Sequence, residues 1–154
     1  MALPLNPHFA EMLSELSAAG AEYLIVGAFA IAAHGNPRAT GDIDIWVRPT
    51  RENASRVIRA LKSFGAPLFD LSIDDLVDEQ TVFQIGVAPV RIDILAGIDG
   101  VMFDDAWSRR VDVMLGTTMT SVLSLVDLAV NKRAAGRPKD VVDLEWIERE
   151  LTKQ

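Results

Sequence analysis

Leu24-Ile25-Val26-Gly27-Ala28, followed after a gap by Asp42-Ile43-Asp44-Ile45, is the stretch on which the fold reading turns. Tyr23 to Val26 is an apolar run of strand length that feeds directly into Gly27. Ala28 to His34 is a run of mostly small residues, predicting a short helix that ends at Gly35. A strand-to-helix turn of this kind brings backbone N–H groups and the positive end of a helix towards a bound anion, for which phosphate is the natural ligand. The same glycine is also explained by a tight turn that needs its dihedral freedom. Asn36 to Gly41 reads as a loop, and Asp42 to Val47 alternates acid and apolar residues with the period of a strand.

On a strand, positions i and i+2 share a face, so Asp42 and Asp44 project together while Ile43 and Ile45 enter a core. Adjacent carboxylates repel, and a divalent cation relieves the repulsion; hard oxygen ligands suit Mg²⁺ or Mn²⁺. Asp93 repeats the pattern in Arg91-Ile92-Asp93-Ile94. Three carboxylates on adjacent strands could hold two metals for in-line phosphoryl chemistry. The plainer alternative is a pair of exposed strand faces that carry Asp, although Asp is disfavoured in strand interiors.

The elements around this centre follow from local signals. Asn6-Pro7 reads as an N-cap followed by proline in the first helical position, with Phe9, Met12, Leu13 and Leu16 at helical spacing and Gly20 as the stop. Thr50 caps an amphipathic helix carrying Ala54, Val57, Ile58, Leu61 and Phe64, closed by Gly65. Ser72 and Asp75 form a capping-box pair. Thr81–Ile85 and Val90–Leu95 read as paired strands, Phe103–Arg109 as a short helix and Val111–Leu115 as a further strand, with Thr117 to Thr120 continuing the sheet. Two helices, about Ser121 to Ala135 and Pro138 to Leu151, complete an α/β (α+β) fold: a mixed β-sheet carrying the acidic residues, flanked by helices.

Composition narrows the chemistry. The 154 residues are expected to form one domain, 1–154, with enough core to need no disulfide or structural metal. There is no cysteine, so thiol nucleophiles and thiolate metal sites are excluded, and a reducing cytoplasm is the expected setting. The formal charge of -7 disfavours non-specific coating of DNA or anionic membrane. Basic residues are uneven: none precedes Arg38, and Lys132, Arg133, Arg137 and Lys139 fall in a stretch without an acid. No apolar run reaches the ~18 residues of a membrane span, and the N-terminal residues do not read as a signal peptide.

Val26-Gly27-Ala28, Asp42-Ile43-Asp44-Ile45 and Ile92-Asp93-Ile94, in this order and spacing, resemble the polymerase-beta-like nucleotidyltransferase superfamily, over about Tyr23 to Asp143. His34-Gly35, Arg38-Ala39-Thr40, Lys132, Arg137-Pro138-Lys139-Asp140 and Asp143 resemble its small branch related to abortive-infection toxins. Ala28 departs from the pattern, which has Gly or Ser there; the hydroxyl is missing, the backbone N–H is kept. The resemblance implies that Asp42 and Asp44 bind two metals, that Asp93 completes the second site, and that Asp93 acts as general base on an acceptor hydroxyl. It implies an NTP substrate and transfer of an NMP group to RNA, a protein or a small molecule, in a toxin–antitoxin or phage-defence setting.

The remaining candidates have readings on either side. Gly27 and Ala28 would meet phosphate through their backbone. Arg38 and Thr40, ahead of the acidic pair, could neutralise and hydrogen-bond a triphosphate, or face solvent and cap the turn. Lys132 and Arg137 could reach the polyphosphate, complement the C-terminal dipole of their helix, or attract an acceptor such as tRNA. Lys139 and Asp143 have i, i+4 spacing. His34 reads as structural more than catalytic, Trp46 could stack on a base, and Trp107 and Trp146 pack helices. The small size favours a homodimer, a partner chain or a helical docking surface. The rival readings are a catalytically inactive module that binds a nucleotide or protein, which Ala28 favours, and a phosphoesterase using the same three acids.

Overall fold

A computed structural model of the chain describes residues 5–37, 41–87 and 90–153. Its strands are β1 (Tyr23–Val26), β2 (Asp42–Val47), β3 (Val82–Val87), β4 (Val90–Leu95), β5 (Val111–Leu115) and β6 (Thr118–Val122). They form one sheet in the order β3-β4-β2-β1-β6-β5. The β2–β4 and β1–β6 pairs are parallel and the others antiparallel. The helices are α1 (Pro7–Ala18), α2 (Gly27–Ala33), α3 (Arg51–Phe64), α4 (Ile73–Val77), α5 (Phe103–Ser108), α6 (Leu125–Ala135) and α7 (Pro138–Thr152). This is the mixed α/β architecture expected from the sequence.

Local signals act as their chemistry requires. Asn6 caps α1 by accepting from the His8 N–H at 2.8 Å. Thr50 caps α3, and Gly65 closes it in the left-handed conformation. Ser72 and Asp75 satisfy both halves of the capping box on α4. Buried Phe9, Met12, Leu13 and Leu16 of α1 join Val57 and Leu61 of α3 and the central strands in one core. Ile43 and Ile45 are fully buried there, with Ile94 beside them in register.

Buried Asn53 locks α3 to the sheet. Its amide donates to the carbonyls of Glu22 and Arg48 and accepts from the Glu22 N–H at 2.7 Å, tying the start of β1 to the end of β2. One boundary differs from the sequence reading. The helix expected from Ser121 begins at Leu125, because Ser121 and Val122 are taken into β6 opposite Asp112 and Val111. Ser124 then caps the helix by accepting from the Asp127 N–H. Among the described residues no helix is long and apolar enough to cross a membrane.

Candidate active site

Three strands bring the candidate residues together. The parallel register of β2 and β4 sets Asp44 opposite Asp93, and Asp42 opposite Arg91. The antiparallel register of β1 and β2 sets Val26 opposite Asp44. Gly27, one residue on, therefore lies against the Asp44 carboxylate at the start of α2. Its φ is +69°, and a Cβ there would overlap that carboxylate. Gly27 thus serves both its own left-handed backbone and the space of its neighbour.

Gly27, Ala28, Asp42, Asp44 and Asp93 all line one cleft of about 750 Å³. Burial, the neighbouring Asp93 charge with its hydrogen bond, and the Asp42 charge raise the Asp44 pKa to about 6, against a smaller opposing pull from Lys139. The fold here concentrates negative charge where it costs stability.

Arg91 is the site residue that the sequence reading missed. Its Nε lies 2.9 Å from Asp93 Oδ1, and its Nη2 lies 3.1 Å from Asp93 Oδ2 and 3.1 Å from Asp42 Oδ2. The signal was available, because the period that joins Asp42 to Asp44 also joins Arg91 to Asp93. Among the described residues, no group of three His, Asp or Glu side chains is spaced to hold a metal in this conformation. The donor set nonetheless suits a hard divalent ion: oxygen ligands on one face, with the Asp44 carboxyl destabilised in its charged form.

The opposite wall comes from α6 and α7. Buried Lys132 places Nζ 3.1 Å from Asp140 Oδ1 and 3.2 Å from Asp143 Oδ2. Arg137 Nε donates to Asp140 Oδ2 at 2.7 Å. Burial alone would raise the Asp140 pKa, but the hydrogen bonds from Arg137 and Lys132 overcome it and hold the group at about 2. Lys132 and Arg137 do line the cleft, yet each is engaged by a carboxylate. Asp143 pairs with Lys132, which links the two helices. Lys139 is left exposed on the cleft wall.

Other candidates resolve differently. Trp46 is not available to stack on a base: it is 1% exposed and packs edge-on against Phe103, with ring centroids 5.0 Å apart. Being the third residue on the Asp42–Asp44 face, it lies further along β2, beneath α5. Trp107 stacks on Phe103, and Trp146 packs against the core. His34 anchors the end of α2, its Nε2 lying 2.8 Å from the Leu123 carbonyl. Arg38 and Thr40 lie outside the described residues.

The fold is that of the nucleotidyltransferases. The chain superposes on a Thermotoga maritima protein, TM1012, provisionally assigned as a nucleotidyltransferase, with a TM-score of 0.56 and 15% identity over 95% of this chain and 91% of that one. It superposes on the lincosamide antibiotic adenylyltransferase LnuA, in a lincomycin-bound structure, with a TM-score of 0.62 and 12% identity over 95% of this chain and 98% of that one. No family model matches the sequence. No curated protein sequence matches it either.

Proposed function

We propose that the protein is a metal-dependent nucleotidyltransferase that moves an NMP group from an NTP to an acceptor hydroxyl. The observation that carries this reading is the pairing of Asp44 with Asp93 on adjacent parallel strands, against the Gly27 turn, in a cleft of this fold. Asp42, Asp44 and Asp93 would hold Mg²⁺ or Mn²⁺, which supplies charge neutralisation on the polyphosphate. Gly27 and Ala28 would meet phosphate through backbone N–H groups, which no side chain caps at the start of α2. Lys139 would add positive potential on the facing wall, and Lys132 and Arg137, each held by a carboxylate, would shape that wall towards the polyphosphate.

Asp93 would take the proton from the acceptor hydroxyl as its oxygen attacks the α-phosphorus. The bond from the α-phosphorus to the bridging oxygen breaks, and pyrophosphate leaves. Arg38 and Thr40, just ahead of β2, are proposed to assist at the triphosphate.

The acceptor is proposed to be a small molecule. LnuA acts on a lincosamide antibiotic, and it is matched over 98% of its length by 95% of this chain. That full-length match to an antibiotic adenylyltransferase supports a small acceptor. A toxin acting on tRNA or protein is the second reading, supported by the Arg137-Pro138-Lys139-Asp140 motif and by the run from Lys132 to Lys139, which carries four basic residues and no acid. The deciding assay incubates the protein with each α-labelled NTP, Mg²⁺ and panels of hydroxylated small molecules, tRNA and proteins. Label transfer with pyrophosphate release, lost in Asp42→Ala with the fold intact, is expected. Nucleotide binding without transfer to any acceptor would identify an inactive binding module, and phosphate release from a monoester would identify a phosphoesterase.

A further inference from the structure

Asp42 and Asp93 are not bare carboxylates in this fold. Arg91 spans them with a single guanidinium, using both oxygens of Asp93 and one of Asp42 at 2.9 to 3.1 Å. It reaches them from the same face of β4, where the parallel register sets it opposite Asp42 and two residues before Asp93. Asp93 is 6% exposed and the Arg91 side chain 30%, so the pair sits at the floor of the cleft with its cation towards the opening. Two-pronged Arg–carboxylate contacts fill lone pairs that a hard cation would otherwise take. A divalent ion therefore competes with Arg91 for these oxygens.

We propose that Arg91 is a resident counter-ion: a positioning residue that holds Asp42 and Asp93 in register before loading and competes with the divalent cation for them. This rests on the metal-dependent reading above. Arg91 does two opposing things. It relieves the repulsion among three clustered acids, which stabilises the metal-free protein. It also raises the cost of metal binding, since its charge-assisted hydrogen bonds must be exchanged first. Metal affinity in this chain is then set by the release of Arg91 as well as by the three acids.

The test is a Mn²⁺ titration of the metal-free protein, with free Mn²⁺ read by its electron paramagnetic resonance signal, in wild type, Arg91→Met and Arg91→Lys, beside melting curves without metal. Arg91→Met is expected to bind Mn²⁺ roughly tenfold tighter, the equivalent of about 1.4 kcal/mol, and to melt a few degrees lower without metal. Arg91→Lys keeps the charge but not the fork, and its Mn²⁺ affinity should fall between the two. A purely structural Arg91 would lower the melting temperature and leave Mn²⁺ affinity unchanged or weaker; that result overturns the proposal. If Arg91→Met does not fold, Arg91→Lys decides on the same criterion. If wild type and variants alike bind no Mn²⁺, the metal-dependent reading itself fails and takes this proposal with it.

Discussion

Gly27 and Asp44 show how closely two residues can depend on each other across a strand pair. Gly27 takes a left-handed φ of +69° against the Asp44 carboxylate, so Gly27→Ala meets both backbone strain and overlap. It is expected to cost about 2 kcal/mol or more in urea unfolding. Asp44 carries the opposite sign. Its pKa is raised to about 6, mainly by burial and then by Asp93, so the native state holds its proton more tightly than the unfolded chain. Ionised Asp44 is therefore a penalty above about pH 6, one that fades as pH falls from 6 towards 4. Asp44→Asn should stabilise the metal-free protein at pH 8, by at most roughly 3 kcal/mol, with the gain vanishing near pH 4. A lower melting temperature for this variant at pH 8 would contradict the assigned repulsion. A gain in stability joined to a loss of transfer is the pattern of a residue kept for function.

At the scale of elements, α6 and α7 are joined by charge as well as by packing. Lys132 sits at the end of α6 with both Asp140 and Asp143 of α7 around its ammonium, and Arg137 closes the junction over Asp140. Removing one partner of a buried pair leaves an uncompensated charge, so Asp140→Asn is expected to cost about 3 kcal/mol. Acid should expose the same contact. The Asp140 pKa is depressed to about 2, so its contribution is full above the unfolded value near 4 and is lost as pH falls through 2. Melting curves of wild type and Asp140→Asn should converge over that window and stay separated at pH 7. Because this junction also forms the wall of the cleft, Asp140→Asn should reduce transfer by lowering the ordered fraction of that wall.

At the scale of the whole molecule, the sheet order brings the start of the chain and its middle to one place. Inserting β2 between β1 and β4 puts the Gly27 turn on one side of Asp44 and Asp93 on the other. The two C-terminal helices then face this seam across the cleft. Asp93→Asn should leave the fold intact while lowering transfer at least about 100-fold. Circular dichroism would check the first half and the labelled-NTP assay the second.

Much of this was legible along the chain. Alternation at Asp42–Val47 determined the strand and the common face of its two acids, and short-range chemistry at Asn6, Thr50, Ser72 and Gly65 determined helix ends. Such features depend on neighbours within one turn or one pleat, so residue order alone settles them. The start of α6 was not legible, because Ser121 and Val122 belong to a strand only through partners on β5. The fate of Trp46 depended on Phe103, and that of Lys132 on two acids of the next helix. Arg91 is the sharpest case: its place beside Asp93 follows from the period of a strand, but its reach to Asp42 exists only because β2 and β4 pair in parallel. Sequence determined which residues share a face; tertiary structure decided which faces meet, since only the pairing of distant strands sets which charges share the same few ångströms.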